Sequence, residues 1–306
     1  MGIRALTAPH TQPAPTGEEP RTLLRPGGVR IAYRRTAARK PAGRAPALLL
    51  HGLASNLTRW SEFVERTSLS EERDLIRVDL RGHGDSPARG RIGLELWRDD
   101  LLALLDAEGA AQAVLVGHSL GAQVALACAS RAPARIAALV LIDPVFRQAQ
   151  HGHWKWLARA APLFAAAAAI VRGFNALGLR RRSIPPLDLR ALDELARESL
   201  GSPEAEAEFI RRYSSTRADL RTFRTAHYLQ ELVEMFRPAA APESIAMPTL
   251  VLLSTGATFA ELPAMQAIAA RFPRGQVQTI DCHHWPLTER PDEVRQVIEA
   301  WCTALP

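Results

Sequence analysis

Cysteine is scarce. Only Cys128, Cys282 and Cys302 occur in 306 residues. Their number is odd and their spacing fits no metal-ligand pattern, which excludes a disulfide framework and a zinc-finger-like site. The expectation is reduced thiols in a cytoplasmic protein. Long apolar runs are lacking as well. The most apolar stretch, Ala160 to Val171, is too short to span a bilayer, and no stable membrane insertion is expected. The first residues carry no apolar run behind a basic start, so no secretion leader is expected, and Leu6 stands where a myristoylation signal after Met1-Gly2 needs Ser or Thr. The formal charge is +6, but the arginines are scattered among acids and alanines, apart from Arg180-Arg181-Arg182. No aromatics interleave with them. That pattern describes a solvated basic surface and gives no support for a nucleic-acid partner. No internal repeat is present.

What is there is apolar and patterned. Hydrophobic residues make up 47% of the chain, ample for a core, and the length fits one large domain or a domain with an insertion. The chain is organised around Leu115-Val116-Gly117-His118-Ser119-Leu120-Gly121. A buried strand from Ala113 to Val116 runs into a turn with glycines two before and two after Ser119, and small residues follow at helical spacing. Larger side chains at those glycine positions would collide with the strained backbone of a sharp strand-to-helix turn. Such a turn lifts the hydroxyl above the sheet edge, where the new helix also points its N-terminal amides.

Around this stretch the chain alternates strands and helices. Residues 1–20 are expected to form a flexible tail. Thr22–Leu24 and Val29–Arg34 flank Pro26-Gly27-Gly28 as a hairpin. Strands follow at Ala47–Leu50, Leu75–Val78 and Ala138–Ile142, with helices near Thr58 and over Glu95–Glu108. The strands are almost continuously apolar, which predicts an α/β fold: a mostly parallel sheet with helices on both faces. His51, Asp79, Ser119 and Asp143 all fall at carboxyl ends of strands, where such sheets bind ligands. From Phe146 to Pro242 no strand is expected. Helices over Trp154–Leu177, Asp188–Leu200, Pro203–Tyr213 and Ala218–Phe236 predict a helical cap inserted after the sixth strand. Strands then resume at Thr249–Leu253 and Val277–Ile280, with helices at Leu262–Arg271 and Pro291–Cys302. The domains expected are thus a core at 21–145 and 246–306 and a cap at 146–245. Trp154 and Trp156 lie two apart and cannot share a helix face, so the Ala160–Val171 run is expected to pack in the core rather than to form an interfacial lid.

Four pieces in one order carry a family resemblance: His51-Gly52 after a strand, Asp79-Leu-Arg-Gly-His-Gly-Asp-Ser86, Gly117-His-Ser-Leu-Gly121, and His284-Trp-Pro. The chain resembles the α/β-hydrolase superfamily, of the capped single-domain kind, from about residue 25 to 302. The resemblance implies Ser119 as nucleophile and His284 as its base. A serine hydroxyl is inert at neutral pH until a base takes its proton. It also implies an oxyanion hole from the backbone amides of Leu53 and Leu120. His283 stands where relatives usually have glycine, and His51, His83 and His118 are expected to brace loops. Asp79 and Asp85 are expected to be turn and strand-end hydrogen-bonders, and Asp281 a strand-end surface residue.

The acid departs from the family pattern. The loop after the post-cap strand, Leu253-Ser254-Thr255-Gly256-Ala257-Thr258, has Ala257 where aspartate is expected. Three arrangements remain open: Asp143 orients His284, Glu261 does, or no acid is present. The implied activity is a serine hydrolase acting on a small-molecule carboxylic ester or related acyl bond through an acyl-enzyme, with no metal or organic cofactor. Serine at 119 argues against the dehalogenase and epoxide hydrolase branches, whose nucleophile is aspartate. The alternative, resting on Ala257, is a catalytically weak or inactive ligand-binding protein of the same fold. Oligomeric state is left open by the sequence.

Overall fold

The computed structural model describes residues 17–150, 152–181, 183–199, 203–256 and 260–305. One eight-stranded sheet organises the chain. Its strands are β1 (Glu18–Arg25), β2 (Val29–Thr36), β3 (Ala47–Leu50), β4 (Leu75–Val78), β5 (Ala113–His118), β6 (Ile136–Ile142), β7 (Thr249–Ser254) and β8 (Gly275–Ile280). They lie side by side in the order β1-β2-β4-β3-β5-β6-β7-β8. β2 runs antiparallel to β1 and to β4, and every pairing from β4 to β8 is parallel. The chain passes from β3 to β4 on one side and then returns to β5 on the other. This reversal opens a crevice beyond the carboxyl ends of β3 and β5.

The two-residue period of a strand explains why the central strands β3 and β6, covered on both faces, are apolar throughout. In β3, Leu48 and Leu50 face one core and Ala47 and Leu49 the other. The second face is covered by α1 (Ser61–Arg66), which supplies Phe63 and Val64. The first is covered by α2 (Leu94–Ala107), with Trp97, Leu101 and Leu104, and by α3 (Leu120–Arg131), with Val124 and Leu126.

Between β6 and β7 the chain leaves the sheet through α4 (His153–Arg159), α5 (Ala161–Ala176), α6 (Leu189–Ser199), α7 (Pro203–Tyr213), α8 (Thr216–Thr222) and α9 (Thr225–Met235). The core resumes with α10 (Leu262–Ala269) after β7, then α11 (Pro286–Glu289) and α12 (Pro291–Thr303) after β8. A buried network ties the excursion to the core. Arg59 pairs with Asp193 of α6 and donates to Thr288 Oγ1 at 2.6 Å, and the Tyr213 hydroxyl donates to Asp193 at 2.9 Å.

Four expectations need correction. The tail cannot extend to residue 20, because β1 begins at Glu18, whose buried carboxylate accepts from Arg77 Nε at 2.6 Å. A single helix over Trp154–Leu177 is broken at Ala160. Pro162 has no N–H to donate and its ring would meet the carbonyl four residues back, so a new helix starts there. The helix over Ala218–Phe236 is broken where Phe223 turns extended (φ −132°, ψ 156°) and packs its ring with Ala54 and Tyr228. Finally, α5 is not a core helix. Only Ala168 is fully buried in it, and Leu163, Ile170 and Phe174 face outward. No helix among the described residues is long and apolar enough to cross a membrane.

Candidate active site

Ser119 follows β5 in a conformation that L-residues rarely adopt, φ +53° and ψ −114°. The crowding that makes the turn sharp also dictates its glycines. A Cβ on Gly117 would lie 2.4 Å from the Gly121 carbonyl oxygen, and one on Gly121 would lie 2.3 Å from that of Leu50. The turn holds the Ser119 hydroxyl 2.9 Å from His284 Nε2. Across the imidazole, Nδ1 stands 3.4 Å from Asp143 Oδ2.

Asp143 follows β6, also with positive φ (+44°). The sheet register places β7 beside it, and Ser254 at the end of β7 grips the carboxylate twice. Its N–H donates to Oδ1 at 2.7 Å and its hydroxyl donates to Oδ2. Burial pushes the Asp143 carboxyl up, but the His284 imidazole and the two Ser254 donors outweigh it, and the group is held below its ordinary value. It is therefore an anion at neutral pH. His118 braces the other side. Its Nε2–H donates to the His284 carbonyl at 2.9 Å, and burial, helped by the neighbouring His284, lowers the His118 pKa to about 3.

Ser119 and His284 open onto a cavity of about 370 Å³. Its walls are mostly apolar: Leu53, Leu157 and Phe164 with Leu232, Phe236 and Trp285. Most come from the helices between β6 and β7. The Leu53 and Leu120 amides have no hydrogen-bond partner among the described residues.

Residues 47–297 match the model of the alpha/beta hydrolase family. The chain belongs to the alpha/beta hydrolase family. The sn-1-specific diacylglycerol lipase ABHD11 of Mus musculus is 27% identical to this hydrolase over 84% of this chain and 80% of its own length. An abhydrolase domain-containing protein of Schizosaccharomyces pombe is 24% identical over 87% of this chain and 93% of its own. Among solved structures, a thermophilic esterase from Thermogutta terrifontis superposes with a TM-score of 0.68 at 24% identity, covering 94% of this chain and 99% of that one.

The structure sorts the hydrolase's remaining candidates. Glu261 is exposed at the start of α10, and its carboxylate makes no hydrogen bond or ion pair with His284 among the described residues. Ala257 lies outside the described residues. His283 faces away, with Nδ1 3.0 Å from Glu289. Asp79 binds backbone: its two oxygens accept from the Leu57 and Asp85 amides, both at 2.8 Å. Asp281 accepts from the exposed Thr255 hydroxyl.

Two participants were not foreseen from sequence. Ser254 was visible only as a residue of the loop after the post-cap strand; the structure makes it the last residue of β7, one strand over from Asp143. Glu231, fully buried on α9, gives no local clue at all, because its partner His83 is 148 positions away. The His83 Nδ1–H donates to the Leu80 carbonyl at 3.1 Å, and in a neutral ring this leaves Nε2 to accept from Glu231. The protons agree with this. Burial raises the Glu231 carboxyl well above its ordinary value and lowers His83 to about 4. A protonated Glu231 thus donates to a neutral His83, while its other oxygen accepts from the Ala54 amide at 3.1 Å. In this way α9 holds the loop that carries Leu53.

Proposed function

We propose that this hydrolase cleaves a carboxylic ester or a closely related acyl bond through a Ser119–His284–Asp143 triad and an acyl-enzyme. One observation carries the reading: the strained Ser119 hydroxyl lies 2.9 Å from His284 Nε2, with the ionised Asp143 behind the same ring. Ser119 Oγ attacks the carbonyl carbon as His284 takes its proton. Asp143 keeps the Nδ1–H tautomer and stabilises the imidazolium. Its 3.4 Å separation is the loose geometry usual before substrate binds. The amides of Leu53 and Leu120 receive the oxyanion, unencumbered by other acceptors. His284 then returns the proton to the leaving alcohol. A water activated by the same imidazole releases the acid.

The helices between β6 and β7 serve as a cap in this account. They supply most of the wall of a cavity suited to an apolar acyl or alcohol group of modest size. The esterase and lipase names among its relatives support this substrate class at the level of bond type. The test is a rapid-mixing experiment with p-nitrophenyl esters of graded acyl length. The expected result is a burst of about one nitrophenolate per chain, absent from Ser119→Ala. Turnover that survives Ser119→Ala unchanged contradicts the proposal.

A further inference from the structure

Helices α4 and α5 carry large apolar side chains both inward and outward. Their inner residues Trp154, Leu157 and Phe164 line the cavity. Outward stand Trp156 at 69% exposure, Leu163 at 72%, Ile170 at 60% and Phe174 at 52%, followed by Leu177 at 79% and Leu179 at 68%. Among the described residues only two other large hydrophobics are comparably exposed, Leu24 and Leu195. The spacing of Leu163, Ile170, Phe174 and Leu177 places them on one side of the helix. A helix hydrophobic all round is normally covered on all sides, and this concentration of exposed apolar surface marks an interaction face.

The charges within the segment that carries that face have one sign. From Pro144 to Leu187 the chain has seven Lys and Arg residues and not one Asp or Glu. Lys155, Arg159 and Arg180 are exposed, and they form no ion pair among the described residues. The Arg159 guanidinium lies 5.0 Å from the centre of the Trp156 ring. A second copy of the chain is a poor occupant. A two-fold contact through this segment would set its cations against the same cations, with no carboxylate of the segment to receive them. An anionic bilayer surface complements both features: its acyl layer takes the apolar side chains, and its phosphates take the guanidiniums and the ammonium. The sixteen residues of α5 extend about 24 Å, too little for a spanning helix, so the segment lies in the interface plane.

We propose that the outer face of α4–α5 is a docking surface for anionic lipid bilayers, which brings the outer wall of the cavity against the membrane. Docking is independent of whether Ser119 is a nucleophile, and it is measured on full-length Ser119→Ala protein so that no lipid is consumed. The experiment is co-flotation with vesicles of phosphatidylcholine alone and of phosphatidylcholine with phosphatidylglycerol. The parent face is compared with Leu163→Ser/Phe174→Ser and with Lys155→Glu/Arg159→Glu, each checked for an unchanged melting temperature.

The expected result is binding to anionic vesicles at least about tenfold tighter than to neutral ones, weakened by salt and lowered about tenfold or more by either double variant. Two results overturn the proposal. One is equal, negligible flotation with both vesicle types. The other is a stable dimer in sedimentation that Leu163→Ser/Phe174→Ser dissolves, which would show that a second copy covers the face.

Discussion

At Asp143 two forces oppose each other, and their balance sets the chemistry. Burial favours the neutral acid. The imidazole and the two Ser254 donors favour the anion and prevail. The sequence left Asp143, Glu261 and no acid open, because Ser254, which grips Asp143, becomes adjacent to it only through strand pairing. Ser119 and His284 each carry a local signal, flanking glycines for one and a Trp-Pro turn for the other, and the structure sets them 2.9 Å apart. His118 gives a residue-level prediction. It stays neutral in the fold down to about pH 3, whereas the unfolded chain binds a proton below about pH 6.5. The unfolded state thus holds the extra proton, and stability falls as pH drops from 6.5 towards 3, by up to about 1.4 kcal/mol per pH unit from this group. Urea unfolding of His118→Asn is expected to show a shallower loss across that window than the parent protein. Identical slopes would contradict the neutral assignment.

The sheet elements were legible for a simple reason. Strands buried on both faces must be apolar, and β3, β6 and β5 up to its terminal His118 are. The helices after β6 were legible as helices but not in their breaks or partners. Pro162 was a local signal for the break at Ala160, but the extended Phe223 answers to Ala54 and Tyr228, far away in sequence. The same holds for α9, whose Glu231 reaches the Leu53–Ala54 loop. A protonated carboxyl there predicts that Glu231→Gln keeps both bonds, with the amide N–H donating to His83 and the carbonyl accepting from Ala54. Its unfolding free energy and its acylation rate are expected to stay near those of the parent. Glu231→Ala leaves a buried amide and an imidazole nitrogen unpaired and is expected to cost about 2–4 kcal/mol and to slow acylation through the loosened loop. Denaturant titration and stopped-flow acylation check both variants. A Gln variant as impaired as the Ala variant would indicate an ionised Glu231 instead.

For the whole molecule, the question is how a helical excursion stays fixed over the strand ends. Arg59 and Asp193, each almost wholly buried, join α6 to the core, with Thr288 and Tyr213 filling the remaining bonds. Asp193→Ala strands a buried guanidinium and is expected to destabilise the protein by about 3–5 kcal/mol, measured by urea denaturation. A loss below about 1 kcal/mol would mean that water reaches Arg59. The central claim is that this assembled molecule activates one serine. Intact mass spectrometry after incubation with a fluorophosphonate tests it most directly. A single adduct is expected on the parent chain, none on folded Ser119→Ala, and labelling slower by on the order of 10³-fold in Asp143→Asn. No adduct on folded parent protein would contradict it and leave a ligand-binding member of the alpha/beta hydrolase fold.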